Sequence, residues 1–247
     1  MKRFFYTGLL FILFSGFFAQ EHDLRFDRYN AILRIKDDST RCARLITYAG
    51  ELRDSLHDYN LAQLIFSRAE AIVAKNHFPF LDYRVTEGRA YCAFLQGEFE
   101  KADQWYVKAL QSPVLEGKDM AKADLLNRAG ANLQNIGVFK RALQYYDQSL
   151  EIYTKRNDEQ GKTTIYINMA NVFVAMGDAK RADELYTSAA QIFLKNNLRD
   201  NYATVLGNQA VAKLSLGDPL EAKRLILRSY QYVSKKPKNI DQPVVLR

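Results

Sequence analysis

The chain has 247 residues, 48% hydrophobic and 26% charged, with 12 Gly and 5 Pro, a composition that excludes a disordered tail or a collagen-like repeat. The formal charge of +7 falls to +5 without Lys2 and Arg3, and this modest excess is what solvated helix faces carry, not a nucleic-acid-binding surface. Two cysteines, Cys42 and Cys92, are too few for a disulfide-built scaffold.

The first nineteen residues, MKRFFYTGLLFILFSGFFA, place two cations before an apolar run and end on Ala19. That is the layout of a secretory signal, cut between Ala19 and Gln20. The run is short of the ~20 apolar residues that span a bilayer, and an uncleaved membrane anchor facing the periplasm is the alternative. Residues 20–40 follow as one helix, with Phe26, Tyr29 and Leu33 of DLRFDRYNAILRI on its packing face.

From residue 41 to 234 the sequence repeats every forty residues, in windows of about 43–82, 83–122, 123–162, 163–202 and 203–234. His57, Gly97, Gly137, Gly177 and Gly217 share one column. Five residues beyond each stands an alanine: Ala62, Ala102, Ala142, Ala182 and Ala222. Nine beyond are Phe66, Tyr106, Tyr146, Tyr186 and Ile226, and twelve beyond are Ala69, Ala109, Ser149, Ala189 and Ser229. Seven before are Gly50, Ala90, Gly130, Ala170 and Ala210, again all small.

The columns describe two helices joined at the Gly position, where a left-handed residue closes the first helix without a Cβ penalty. Asp178 and Asp218 cap the second helix, and Pro219 suits its first position. Small residues let the two helices approach, and the aromatic fills the space beneath the next helix. One hairpin cannot bury its own apolar face, so consecutive hairpins must stack. Cys42 and Cys92 stand ten positions apart on neighbouring parallel helices of such a stack, which predicts two buried free thiols.

The order of small residue, turn glycine, alanine, aromatic and small residue resembles the tetratricopeptide repeat (TPR), most closely in Asn127–Tyr153 and Asn168–Phe193. The period is forty where the family's usual one is 34, and the tryptophan typical of the first helix is absent. The resemblance implies an all-α, superhelical solenoid of five hairpins with residues 20–40 as an N-terminal capping helix. It also implies that the first helices line a concave groove for an extended peptide. Positions two, six, nine and thirteen of the units then carry the groove, the first three with Arg44, Arg84, Asp124, Thr164 and Thr204; Tyr48, Gly88, Arg128, Asn168 and Asn208; Glu51, Tyr91, Ala131, Asn171 and Val211. Arg44, Tyr48, Arg84, Tyr91, Arg128, Asn168, Asn171 and Asn208 are its candidate ligand contacts. Arginines suit carboxylates and asparagine amides suit a peptide backbone, although asparagines so placed also serve to bond neighbouring helices. The carboxylate clamp of chaperone-tail-binding members finds no match at Thr47 and Glu51 or at Glu87 and Tyr91.

No nucleophile elbow, phosphate loop, dinucleotide glycine pattern or HExxH helix occurs, and His22, His57 and His77 stand apart. The expectation is a scaffold without enzymatic activity, cofactor, metal or nucleic acid, exported to the periplasm or secreted, with a protein or peptide as partner and envelope association open to it. Two alternatives are a sensory module of a bacterial signalling system and a homo-oligomer formed through the last helix. In that helix Leu225, Ile226, Leu227, Tyr230 and Val233 are expected to form an uncovered apolar face, with partial cover by Val244, Val245 and Leu246 of the tail, 235–247, as the alternative.

Overall fold

The computed structural model describes residues 24–233. The expected signal segment, 1–19, and the tail, 235–247, lie outside them. Every regular element among the described residues is helical. α1 covers 24–33. It is followed by α2 (Asp38–Asp54), α3 (Tyr59–Asn76), α4 (Pro79–Leu95) and α5 (Phe99–Leu110), then a 3-10 turn at Pro113–Leu115. α6 (Asp119–Asn135), α7 (Phe139–Lys155), α8 (Glu159–Ala175), α9 (Ala179–Lys195), α10 (Arg199–Ser215) and α11 (Pro219–Val233) complete it. The chain forms two compact units, divided between Val114 and Leu115. In each, consecutive helices pack as antiparallel pairs. The pairs begin four or five residues ahead of the windows marked by the sequence columns.

The second helices are amphipathic at helical spacing. α7 buries Ala142, Tyr146, Ser149 and Tyr153, and α9 buries Ala182, Tyr186, Ala189 and Phe193. α4, α8 and α10 are apolar on more than one side because each is flanked by its own partner and by the second helix of the preceding pair. α8 thus buries Thr163, Ile165, Ala170, Val172 and Phe173. The aromatic column fills the helix interfaces, within pairs and between them: Phe66, Tyr106, Tyr146 and Tyr186 are at most 2% exposed. Gly130 shows why the facing position is small, since a Cβ there would lie 2.7 Å from the Tyr146 ring.

The turn column is left-handed throughout, with φ of 53° at His57 and 74–80° at Gly97, Gly137, Gly177 and Gly217. After Gly177 the amide of Asp178 donates to Phe173 O at 2.8 Å, the closing bond of a Schellman turn. Asp178 Oδ1 then caps α9 by accepting from the Arg181 amide at 3.1 Å, and Asp218 Oδ1 caps α11 by accepting from Glu221 at 3.0 Å.

α1 covers the first pair, but not with the face the column alignment predicts. Ile32 is buried and Tyr29 and Ile35 are half-buried against α2 and α3, whereas Phe26 and Leu33 are 42% exposed. The reason is polar. Arg25 pairs with Asp58 at 3.2 Å and Arg28 with Glu51 at 2.6 Å, and these anchors rotate the helix away from the repeat register. Cys42 and Cys92 are buried free thiols, and burial raises both to a pKa of about 11.

Candidate binding surface on the first helices

In the first unit the candidate residues lie on α2 and α4. Arg44 and Arg84 are exposed, and neither makes a hydrogen bond or ion pair among the described residues. Tyr48 is different. It is only 2% exposed, its hydroxyl donates to Arg25 O at 3.0 Å, and the Arg28 guanidinium sits 4.6 Å above its ring. Tyr48 therefore holds the capping helix and its position is occupied from within. Burial raises its hydroxyl pKa. Tyr91 is half-buried, stacked on Phe94 with 15° between planes and covered by the Arg53 guanidinium at 4.8 Å. Gly88, at a groove position by spacing, instead admits the Phe66 ring, which would lie 2.4 Å from an added Cβ.

In the second unit α6, α8 and α10 present the corresponding face. Asn168 Nδ2 donates to Asn127 Oδ1 at 2.8 Å, bonding α8 to α6. Asn171 Oδ1 accepts from the Tyr186 hydroxyl at 2.5 Å, which satisfies that phenol within the hairpin. Asp124 accepts likewise from Tyr153 at 2.5 Å. Arg128 is exposed at the edge of this face. Asn208 is half-buried and makes no side-chain hydrogen bond among the described residues. It lines, with Ile167, Asp200, Asn201 and Thr204, a depression of about 200 Å³.

The arrangement thus separates the eight residues. Tyr48, Asn168 and Asn171 serve internal bonds, Tyr91 is sandwiched, Asn208 is half-buried, and Arg44, Arg84 and Arg128 are exposed. The role of Tyr48 was invisible because it depends on where α1 lands. The Asn127 partner was missed because it stands one position off the repeat column. Among the described residues no group of three or more His, Cys, Asp or Glu side chains is placed to hold a metal ion, and no helix is long and apolar enough to cross a membrane.

A family model described as soluble NSF attachment protein, SNAP, matches residues 86–238. The chain belongs to this family. The SNAP-family chain has no match among curated proteins. In fold it is similar to BtubC (BKLC) from P. vanneervenii, at 19% identity and a TM-score of 0.73 over 91% of this chain and 95% of that one. It is similar also to a signal transduction ATPase with numerous domains, bearing a tetratricopeptide repeat sensor, from Pyrococcus horikoshii. That likeness has 15% identity and a TM-score of 0.73 over 90% of this chain and 34% of the other. YrrB, described as a TPR protein with an unusual peptide-binding site, matches at 16% identity and a TM-score of 0.53, over 78% of this chain and 86% of YrrB. The SNAP-family chain is therefore an all-α, TPR-like solenoid, a fold of the general protein-interaction scaffold kind.

Proposed function

We propose that the protein is a non-enzymatic scaffold, exported from the cytoplasm, that binds a protein or peptide segment on the face of its first helices. The observation that carries the reading is Asn208. Its amide offers both a donor and an acceptor to a ligand, beside the apolar surface of Ile167 and the Thr204 hydroxyl. A peptide backbone alternates the same two groups. Arg44 and Arg84, exposed on the first unit, offer guanidiniums for a ligand carboxylate. A preformed face of helices orders little on binding, so an extended segment docks at low entropic cost.

The test is affinity capture from an envelope extract with wild-type protein, with Asn208→Ala, and with Asn127→Ala. Removal of Asn127 breaks the same helix-to-helix bond as removal of Asn168, so it reports the structural role alone. A ligand recovered by wild type and Asn127→Ala but lost with Asn208→Ala is the expected result. Equal recovery by all three removes the amide from the site. Export rests on residues 1–19, and a mature N-terminus at Gln20, read by mass spectrometry of envelope protein, is its check.

Two observations favour other uses of the scaffold. The TPR sensor in the Pyrococcus horikoshii protein supports a sensory role, in which the same face receives a signal-bearing partner. The apolar residues exposed on α11, with Tyr230 at 70% and Ile226 at 53%, support self-association through the last helix.

A further inference from the structure

A second site stands in the first unit, away from the face of the first helices, where α5 is too short. α5 has 12 residues, whereas α3, α7 and α9 have 17 or 18. Pro113 is the cause: it has no amide to donate to Ala109 O, and its ring opposes the helical conformation of Ser112. In the three longer cases the final turn of the second helix reaches back to the first residue of its partner. Asn76 donates to Asp38 at 2.9 Å, Arg156 pairs with Asp119 at 2.6 Å, and Lys195 pairs with Glu159 at 3.0 Å. In α7 and α9 the same turn also buries an aromatic, Tyr153 or Phe193, and the cation follows two or three residues later.

The α4–α5 pair lacks that turn, and a cleft of about 560 Å³ stands in its place. Val73 and His77 of the α3 end, Asp82 and Thr86 of α4, and Lys108 and Ser112 form its walls. The size is that of a built ligand pocket, and the floor is apolar at Ala109 and Val73, both at most 5% exposed. Asp82, in the first turn of α4, receives no side-chain hydrogen bond; its nearest cation, Lys108, is 3.9 Å away and is also 3.7 Å from Glu70. The cleft thus offers an apolar seat and an incompletely matched carboxylate, which stands three residues into α4 where the acid that meets the cation elsewhere in this chain is the first residue of its helix.

We propose that the cleft docks a helical turn of a partner protein carrying an aromatic residue followed two or three positions later by Lys or Arg. The aromatic ring takes the seat between Thr86 and Ala109, and the cation meets Asp82. The chain itself supplies the probe: a fluorescein-labelled peptide of residues 185–197, LYTSAAQIFLKNN, with Phe193 and Lys195 in the required order.

Titrated with the full chain, this peptide gives saturable anisotropy, and its Phe193→Ala and Lys195→Glu versions each bind about ten-fold more weakly. Two protein variants separate seat from charge. Ala74→Trp fills the cleft from an exposed position, and Asp82→Lys reverses its carboxylate; both weaken binding at least about ten-fold while circular dichroism is unchanged. Asn208→Ala binds as wild type does, which keeps this site distinct from the face of the first helices. Absence of saturation, binding indifferent to Phe193 or to both cleft variants, or loss with Asn208→Ala overturns the proposal. So does displacement by N-acetyl-phenylalaninamide at the peptide's own concentration, because a small aromatic alone is then the ligand.

Discussion

Gly177 has φ of 80°, and a Cβ built on it meets nothing within 4 Å. The cost of Gly177→Ala is therefore backbone strain alone, about 1–2 kcal/mol for a left-handed residue with a side chain. Gly88→Ala costs stability for the opposite reason. Its backbone is helical and its new Cβ meets the Phe66 ring at 2.4 Å, so the loss is that of an overpacked core, about 1–3 kcal/mol. His57 already occupies the left-handed turn position with a side chain, at φ of 53°, and His57→Gly gains up to about 1 kcal/mol by relieving it. Denaturant titration followed at 222 nm orders the three variants; a neutral Gly88→Ala would mean that Phe66 can shift.

A regularity of this kind was only half legible in the sequence. The column of His57, Gly97, Gly137, Gly177 and Gly217 stood out because four of its five members are glycine. A second left-handed column recurs at the same period of forty: His77, Asn157 and Asn197 close α3, α7 and α9, and Gly117 follows the 3-10 turn after the shortened α5. Its residue identities are mixed, and what they share is tolerance of positive φ: glycine by lacking Cβ, asparagine by its local hydrogen bonding. Pro113 was in plain view as well, but its consequence, a shortened α5, needed the lengths of the other helices for comparison. The internal bonds of Tyr48 and Asn168 depend on partners in other helices, at Arg25 and Asn127, that no column contains.

At the scale of the helix pairs, the tyrosine column sets the alkaline limit of stability. Burial raises the hydroxyl pKa of Tyr146, Tyr153 and Tyr186, the last to about 12, from an ordinary value of 10.0. Tyr153 is raised further by its bond to the Asp124 carboxylate. A group whose folded pKa is raised contributes stability that is whole below its unfolded pKa and is lost as pH rises through the folded one. The protein is thus expected to lose stability from about pH 10 upward, most steeply toward pH 12. Absorbance of tyrosinate at 295 nm should show the buried three ionising only with the loss of helical ellipticity. Smooth titration of all tyrosines with the helices intact would contradict the buried spacer role.

The acid side is governed by pair ends. Hydrogen bonds from Lys195 and Asn196 lower the Glu159 pKa below its usual value of 4.5, and the Arg181 amide and side chain lower Asp178. Both contributions are present above the unfolded carboxylate pKa and vanish as pH falls through the folded one. Both carboxylates are solvent-exposed enough that salt screens them, so the acid loss is shallow beside the alkaline one.

For the whole molecule the open question is what its exposed apolar surface does. α11 buries Ala222 and Leu225 against its neighbours and holds Tyr232 edge-on to Tyr202 at 4.8 Å, so the helix is firmly seated. Its other side leaves Ile226, Leu227, Tyr230 and Val233 between 40% and 70% exposed. Leu227→Glu with Tyr230→Glu removes apolar area without touching the buried side, so both proteins should fold alike. If α11 joins two copies, residues 20–247 sediment as a dimer that the double variant converts to monomer. Monomer mass in both proteins at tens of micromolar, well above the working range of a stable interface, would end self-association and leave this face to a different partner. The distinction matters for binding as well, because a dimer would present two copies of the Asn208 face, and avidity would then strengthen weak docking without any new contact.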